Sequence, residues 1–258
     1  MSEQPNHWPA EAIWESVVAD CPGFSVEVLA QIDSTNTELM RRARAGQHET
    51  VLLVAEQQTA GRGRLGRQWF SGAGVGTASA LTFSLGLPLS PRDWSGLSLV
   101  VGLSIAQSLH PDLRLKWPND IWWQGRKLAG ILLETASQGE ARYLVVGVGI
   151  NITKPQATGL STPPAWLQEL LPGISASQVL ERVAAPLLQA IGRFEQTGFL
   201  PFQSQFNERD ALHGMDVRLS DGTDGIAQGV NALGALRLQT AQGQKEINSS
   251  EVSVRPLP

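Results

Sequence analysis

Arg62, Arg64 and Arg67 stand among three glycines, Gly61, Gly63 and Gly66, in the run G-R-G-R-L-G-R-Q-W that ends at Trp69. No acidic residue occurs from Gln57 to Arg92. Glycine lets backbone approach a ligand closely and adopt left-handed conformations. Arginine presents a fork of donors that matches carboxylate and phosphate oxygens. The run therefore reads as a mobile cationic clamp for an anion. It matches G-x-G-x-x-G formally, but a dinucleotide site needs a helix at once and an acid about 20 residues on. Here Trp69-Phe70-Ser71 and more glycines follow. A phosphate loop is excluded too, because Arg67-Gln68 stands where Lys-Ser/Thr is required.

Further along, Lys116-Trp117-Pro118-Asn119-Asp120 places polar groups at a strand-ending turn, a common position for binding residues. Lys127 leads into the apolar run Leu128 to Leu133. Pointed inward beside a phosphate, its ammonium would neutralise developing charge; pointed outward, it is an ordinary strand start. Gly147-Val148-Gly149-Ile150-Asn151 carries two glycines in a strand, which signals close approach of another backbone or a ligand.

The elements that must hold these groups follow from pattern. Phe24 to Ile32 and Val51 to Gln57 read as strands, the second buried. Thr35-Asn36-Thr37-Glu38 reads as a capping box opening a helix through Ala43. Leu81 to Leu85 alternates as a strand. Asp93 reads as the cap of a helix carrying Leu97, Val100, Val101, Ile105 and Leu109. Arg114 to Trp117 is strand-like. Ile121 to Trp123, a Gln-Gly turn and Lys127 to Glu134 form a hairpin. Tyr143 to Ile150 is another strand, and Thr158 to Pro164 is a Pro-rich loop. Val179 to Phe194 has helical spacing, with Pro186 expected to bend it. From about Met215 the chain turns to short strands with Gly turns, at Val217–Leu219, Gly225–Val230, Ala235–Gln239 and Val252–Val254, which suggests a small all-β unit.

The chain has 258 residues, 42% of them hydrophobic, and a net charge of −4. That balance opposes general nucleic-acid or membrane-surface binding, which rests on broad cationic fields. A single cysteine, Cys21, fits a reducing cytoplasmic setting. Neither a signal peptide nor a membrane span is evident. The scattered histidines show no metal-ligand spacing.

Each motif alone is ambiguous. In order, they are specific: Ser34-Thr35-Asn36; Gln58 before Ala60-Gly61-Arg62-Gly63-Arg64; Trp69; Lys116-Trp117-Pro118-Asn119-Asp120; Arg126-Lys127-Leu128-Ala129-Gly130-Ile131-Leu132; Gly149-Ile150-Asn151. The set resembles the biotin protein ligases (biotin–[acetyl-CoA-carboxylase] ligases) from about Ile32 to Asn151, and more weakly through the β-rich C-terminal part.

The resemblance implies an α+β fold. A mixed, largely antiparallel sheet with flanking helices, like the catalytic domain of class II synthetases, would fill residues 1–211, with a short extension at 1–23. A small SH3-like β-barrel would fill 212–258. It implies activation of biotin by ATP and Mg²⁺ to biotinyl-5′-AMP, then transfer to a lysine of a biotin carboxyl carrier protein. It implies that Ser34, Thr35, Asn36 and Gln58 hold the biotin ring. Arg62, Gly63, Arg64, Lys127 and Gly130 would complete the biotin site. Arg64, Arg67, Trp69, Asn119, Asp120, Lys127 and Asn151 would face the nucleotide. Lys127 and Arg64 would be catalytic, and Asp120 would touch the metal or take the proton of the acceptor lysine. The glycine run would order over the adenylate and shield the mixed anhydride from water.

The sequence departs from the family pattern at Thr59, at Leu65 and at Ser250, and in the small-residue run Gly72 to Ala80. The 23 residues before the first strand read as Trp/Pro-rich turns, too few for a DNA-binding module, so a ligase without DNA-linked regulation, monomeric or homodimeric, is the expectation. A lipoate ligase is the enzymatic rival. A nucleic-acid module built on the Arg/Gly run and a biotin sensor without chemistry are the rivals from other classes.

Overall fold

The computed structural model describes residues 8–71, 79–138, 141–156, 162–248 and 253–257. Within them lie helices α1 (Ala10–Val17), α2 (Thr35–Arg44), α3 (Leu97–Leu109), α4 (Ala176–Thr197) and α5 (Gln203–Glu208). The strands are β1 (Ser25–Ile32), β2 (Val51–Gln58), β3 (Ala80–Pro88), β4 (Arg114–Lys116), β5 (Asp120–Trp123), β6 (Arg126–Gln138), β7 (Ala141–Asn151), β8 (Asp216–Leu219), β9 (Asp224–Val230), β10 (Leu236–Thr240), β11 (Gly243–Ile247) and β12 (Val254–Pro256). Seven strands form one sheet in the order β1-β2-β3-β7-β6-β5-β4; five form a second in the order β11-β10-β9-β8-β12. Within the large sheet β1 and β2 pair in parallel, and the other neighbouring strands run antiparallel.

The large sheet is covered on both faces, which explains why β2 reads as an unbroken apolar run. Side chains alternate between faces along a strand. Leu52 and Val54 join the core beneath α3 and α4, whereas Val51 and Leu53 pack under α2 with Leu39, Met40 and Ala43. Strand β7 divides the same way: Leu144, Val146 and Val148 belong to the first core, Tyr143 and Val145 to the second. Continuing the second face along β7 leads to Gly147 and Gly149, where side chains give out. The cavity described below opens there. Helix α3 is apolar around most of its circumference because it is sandwiched, with Leu97 through Ala106 all buried except Ser98.

Local expectations fail at two caps. Ser34, not Thr35, caps α2, its Oγ accepting from Thr37 N at 3.5 Å. Both residue types cap helices, and pattern alone does not separate adjacent candidates. Asp93 caps only a turn, accepting from Ser95 N at 2.8 Å, and α3 begins at Leu97 behind Gly96 with φ 82°. That conformation favours glycine, whose missing side chain also gives room to Phe199. The predicted turns before β1 include a true helix, α1, anchored by Ile13 and Val17. Strand β11 is a further element the pattern did not suggest. Helix α4 runs on through Pro186. Of the small-residue run Gly72 to Ala80, residues 72–78 lie outside the described residues, as do 158–161 of the Pro-rich loop and Ser249 to Val252, Ser250 included.

The second sheet is docked against the first unit by buried hydrogen bonds. Trp117, fully buried, donates Nε1–H to Gly234 O at 3.0 Å. Asn207 Oδ1 accepts from Val230 N at 2.9 Å, and Gln203 donates to Val230 O at 2.8 Å. Residues 209–211 add to β4, with Leu115 N donating to Arg209 O and Ala211 N to Leu115 O. This docking aims Arg255 of β12 at the cavity of the large sheet. No helix among the described residues is long and apolar enough to cross a membrane.

Candidate active site

A cavity of about 570 Å³ lies over the glycine end of β6 and β7, large enough for a drug-sized ligand. Its floor is made by register. Gly130 pairs with Gly149, and Gly147 with Leu132 on one side and Ser84 on the other. A side chain at Gly149 would collide with the Trp69 indole, and one at Gly147 with the Asn36 carboxamide. The two glycines expected to admit a backbone or ligand thus admit two side chains of the site itself.

One end is neutral and polar. Ser34, Thr35, Asn36 and Ser84 are buried to within 4% exposure or less. Such groups are costly unless hydrogen-bonded, and they are. Thr35 N and Oγ1 both reach Gln58 Oε1, at 2.8 and 3.1 Å. Ser84 Oγ lies 2.7 Å from Thr35 Oγ1 and 2.6 Å from Asn36 Oδ1. Ser71 holds the Gln58 backbone, accepting from its N at 2.9 Å. Gln58 thus lines the cavity with its side-chain carbonyl oxygen engaged by Thr35.

The other end is cationic. Arg64, Arg67, Lys116, Lys127 and Arg255 line it. Among the described lining residues, the single carboxylate is Asp120. Lys127 Nζ is 2.7 Å from Asp120 Oδ1. Asn119 is fixed by donating Nδ2–H to Ile131 O at 2.7 Å, and its Oδ1 lies 3.5 Å from Arg64 Nη1. Burial pulls the Arg64 guanidinium below its ordinary range, against the attraction of Asp120. Lys116 sits 5.2 Å above the Trp122 ring. Burial pulls its ammonium down to about 8; Asp120 opposes this, and Lys127, Arg67 and Arg255 add repulsion.

The glycine run is a compact hairpin. Arg62 bridges Gln68, Gly63 N donates to Arg67 O at 2.7 Å, and Trp69 N donates to Gly61 O at 2.9 Å. The turn passes through Leu65 at φ 56° and Gly66 at φ 72°, a conformation glycine tolerates and leucine adopts at a cost of about 1 kcal/mol. Gly61 is bare because the Trp69 carbonyl occupies the space of a side chain. The Trp69 ring lies over the paired Gly130 and Gly149.

The predicted residues do not all play one part. Ser34, Thr35, Asn36, Gln58, Gly63, Arg64, Arg67, Trp69, Asn119, Asp120, Lys127, Gly130 and Asn151 converge on the cavity. Arg62 also lies at its rim, but its guanidinium turns to Glu134 Oε1 at 2.9 Å and Thr37 Oγ1 at 3.4 Å. Asn151 donates to Ala165 O at 2.9 Å and so tethers the segment from 162 to 166 to β7. The Lys127 backbone grips the same segment, donating to Pro163 O and accepting from Ala165 N. Arg126 clamps it from outside, paired with Glu169 at 2.6 and 3.0 Å and packed by Trp123 and Trp166. Sequence reasoning missed Lys116, Trp122 and Arg255. Lys116 lies in the strand-like segment Arg114 to Trp117, where pattern gives it no role beyond ending a strand; Arg255 carries no local signal. The indole N–H groups of Trp69 and Trp122 are buried without a hydrogen-bond partner among the described residues.

Comparison with known proteins bears on the chemistry. Residues 28–151 match the biotin/lipoate A/B protein ligase family, and residues 217–255 match the biotin protein ligase C-terminal domain. The bifunctional ligase/repressor BirA of Escherichia coli is 34% identical over 252 residues, 93% of this chain and 77% of BirA. A biotin–[acetyl-CoA-carboxylase] ligase of Paracoccus denitrificans is 31% identical over 87% of this chain and 98% of its own length. The crystal structure of a biotin protein ligase from Aquifex aeolicus, in complex with biotin and ATP, superposes with a TM-score of 0.74 at 29% identity, over 90% of this chain and 99% of that one.

Proposed function

The chain belongs to the biotin protein ligase family, and from that premise we propose that it condenses biotin with ATP to biotinyl-5′-AMP and passes the biotinyl group to a lysine of a carboxylase's carrier domain. The observation that carries this reading is the two-ended cavity. A neutral, fully hydrogen-bonded cluster at Thr35 and Gln58 suits a ureido ring. A cation-crowded end suits a carboxylate and a triphosphate that must be brought together.

The residues divide the work. Ser34, Thr35, Asn36 and Gln58 form the ring subsite, where fixed dipoles select shape and hydrogen-bonding pattern. Lys127 sits between the two ends, 2.7 Å from Asp120. An anion entering there draws the ammonium from one carboxylate to another, so Lys127 bridges carboxylate and α-phosphate as charge builds at phosphorus. Arg64 and Arg67 supply the charge-assisted donors for the adenylate phosphate. Trp69 gives the nucleotide base a ring to stack on, and Asn119 and Asn151 shape the wall beside it. Lys116 and Arg255 extend the cationic lining toward the leaving pyrophosphate. The catalytic unit spans residues 1–211 and the β-rich unit 212–258; Arg255 makes the second part of the site.

Among the described residues no three His, Cys, Asp or Glu side chains gather to cage a metal. Mg²⁺ does not require a cage, since it takes one or two carboxylates and completes its shell with phosphate oxygens and water. Asp120 fits that role. When bound, the ion would neutralise the triphosphate; the positioning falls to the chain's own cations.

The test is exchange of labelled pyrophosphate into ATP, run with biotin and with lipoate. Biotin-dependent exchange is the expected result. Exchange supported by lipoate alone overturns the reading in favour of the other half of the family.

A further inference from the structure

Arg62 belongs to the cationic hairpin by sequence, yet its side chain leaves the anion site. Glu134 explains where it goes. The Glu134 carboxylate accepts from Arg62 Nη2 at 2.9 Å on one oxygen and from Asn36 Nδ2 at 3.0 Å on the other. Asn36 is buried, also donates to Leu132 O at 3.3 Å, and accepts from Ser84, which in turn touches Thr35 and so Gln58. Glu134 is on β6, two residues beyond Leu132, on the face where Val145 is its register partner and the packing of α2 ends. Arg62 also reaches Thr37 Oγ1, at the longer distance of 3.4 Å, but Glu134 supplies the charged contact that joins the buried polar cluster to the hairpin.

We infer that Glu134 is a positioning residue, a latch that ties the hairpin of residues 61–69 to the ring subsite through Arg62 and Asn36. The inference rests on the reading of the site given above. A surface ion pair contributes little by itself. This one is anchored at one end by a buried carboxamide, so breaking it frees the hairpin and loosens Asn36 together. The hairpin carries a left-handed leucine and so needs an outside restraint to hold its shape. The latch adds no group to the chemistry. It decides how long Arg64 and Arg67 stay over a bound adenylate.

The test uses the full chain and two readouts. In limited trypsin digestion without ligand, Glu134→Ala should speed cleavage after Arg64 and Arg67 by about fivefold, the factor equivalent to ~1 kcal/mol. Arg62→Gln, a change at an exposed position that removes no core contact, should do the same, and the double variant should add nothing further. Glu134→Asp should recover part of the protection. In the enzymatic readout, release of biotinyl-5′-AMP should quicken by a like factor, with the KM for ATP less affected. Unchanged cleavage in both single variants, or additive effects in the double variant, overturns the latch. Cleavage needs no ligand, so a failure there is separate from a failure of biotin-dependent exchange in the wild-type chain, which would instead refute the functional reading.

Discussion

Alanine at Gly149 would separate room for a ligand from stability of the fold. Gly149 has no positive φ, so the new methyl has only space to contend with. That space is held by the Trp69 ring. Replacing glycine inside a strand returns about 0.5–1 kcal/mol of backbone entropy, and an extra methyl in packed surroundings costs ~1–3 kcal/mol. Trp69 sits on the hairpin between two exposed neighbours, so it can move off and relieve the clash. The melting temperature of Gly149→Ala should therefore shift by no more than roughly 2–4 °C for a chain of this size. Nucleotide binding should suffer, because an aromatic ring under a base contributes ~1–3 kcal/mol, a loss of about 5- to 150-fold in affinity.

Gly147→Ala is the control. Its methyl meets Asn36, which is buried and held by Ser84, Leu132 and Glu134, and so cannot swing away. Overpacking then adds to a broken buried hydrogen bond of ~1–3 kcal/mol. Its melting temperature should fall by roughly 5–15 °C. Calorimetric titration with ATP and thermal unfolding, run on both variants, decide the matter. Equal losses of stability, or full nucleotide affinity in Gly149→Ala, refute the reasoning.

Two further outcomes follow from charge. Lys127→Ala leaves Asp120 without its partner at 2.7 Å and facing an incoming anion; pyrophosphate exchange should drop at least about 100-fold, while thermal unfolding stays near wild type because the lysine is partly exposed. A wild-type rate rules out its assigned role. Asp210 accepts from Leu212 N, while its other oxygen is buried without a partner, and burial raises it to about 6. The folded state then holds a proton that the unfolded chain, near 3.9, has released. Stability contributed by this group is present below pH 4 and is lost as pH rises toward 6. Asp210→Asn should gain on the wild type by ~1–3 kcal/mol between pH 4 and 7 in urea unfolding; a difference that does not change with pH refutes it.

Much of the site was legible because its residues sit in short contiguous motifs at strand ends. The strands β2, β3 and β7 were legible from apolar runs, since both faces of the sheet are buried. What escaped depends on distance or partners. Arg255 reaches Lys116 only through the docking of one sheet on another. The direction of the Arg62 guanidinium was not legible, because its partner Glu134 lies 72 residues away in the chain. The cap of α2 slipped by one residue because Thr35 spends its hydroxyl on Gln58. Helix α1 is short and sends only Ile13 and Val17 inward. Strand β11 is polar up to its last residue, Ile247, with Lys245 and Glu246 exposed, and shows no alternation to read.

Crowding so much positive charge around a single carboxylate has a thermodynamic side. Each cation lining the cavity raises the free energy of the native state through mutual repulsion when no anion is bound, strongest where water is excluded. A polyanion relieves that repulsion on arrival, and whatever binds only the native form deepens its well by mass action. The durability of this protein is therefore tied to the abundance of its own metabolites: scarce nucleotide leaves a tense, more easily unfolded molecule, and plentiful nucleotide a relaxed one.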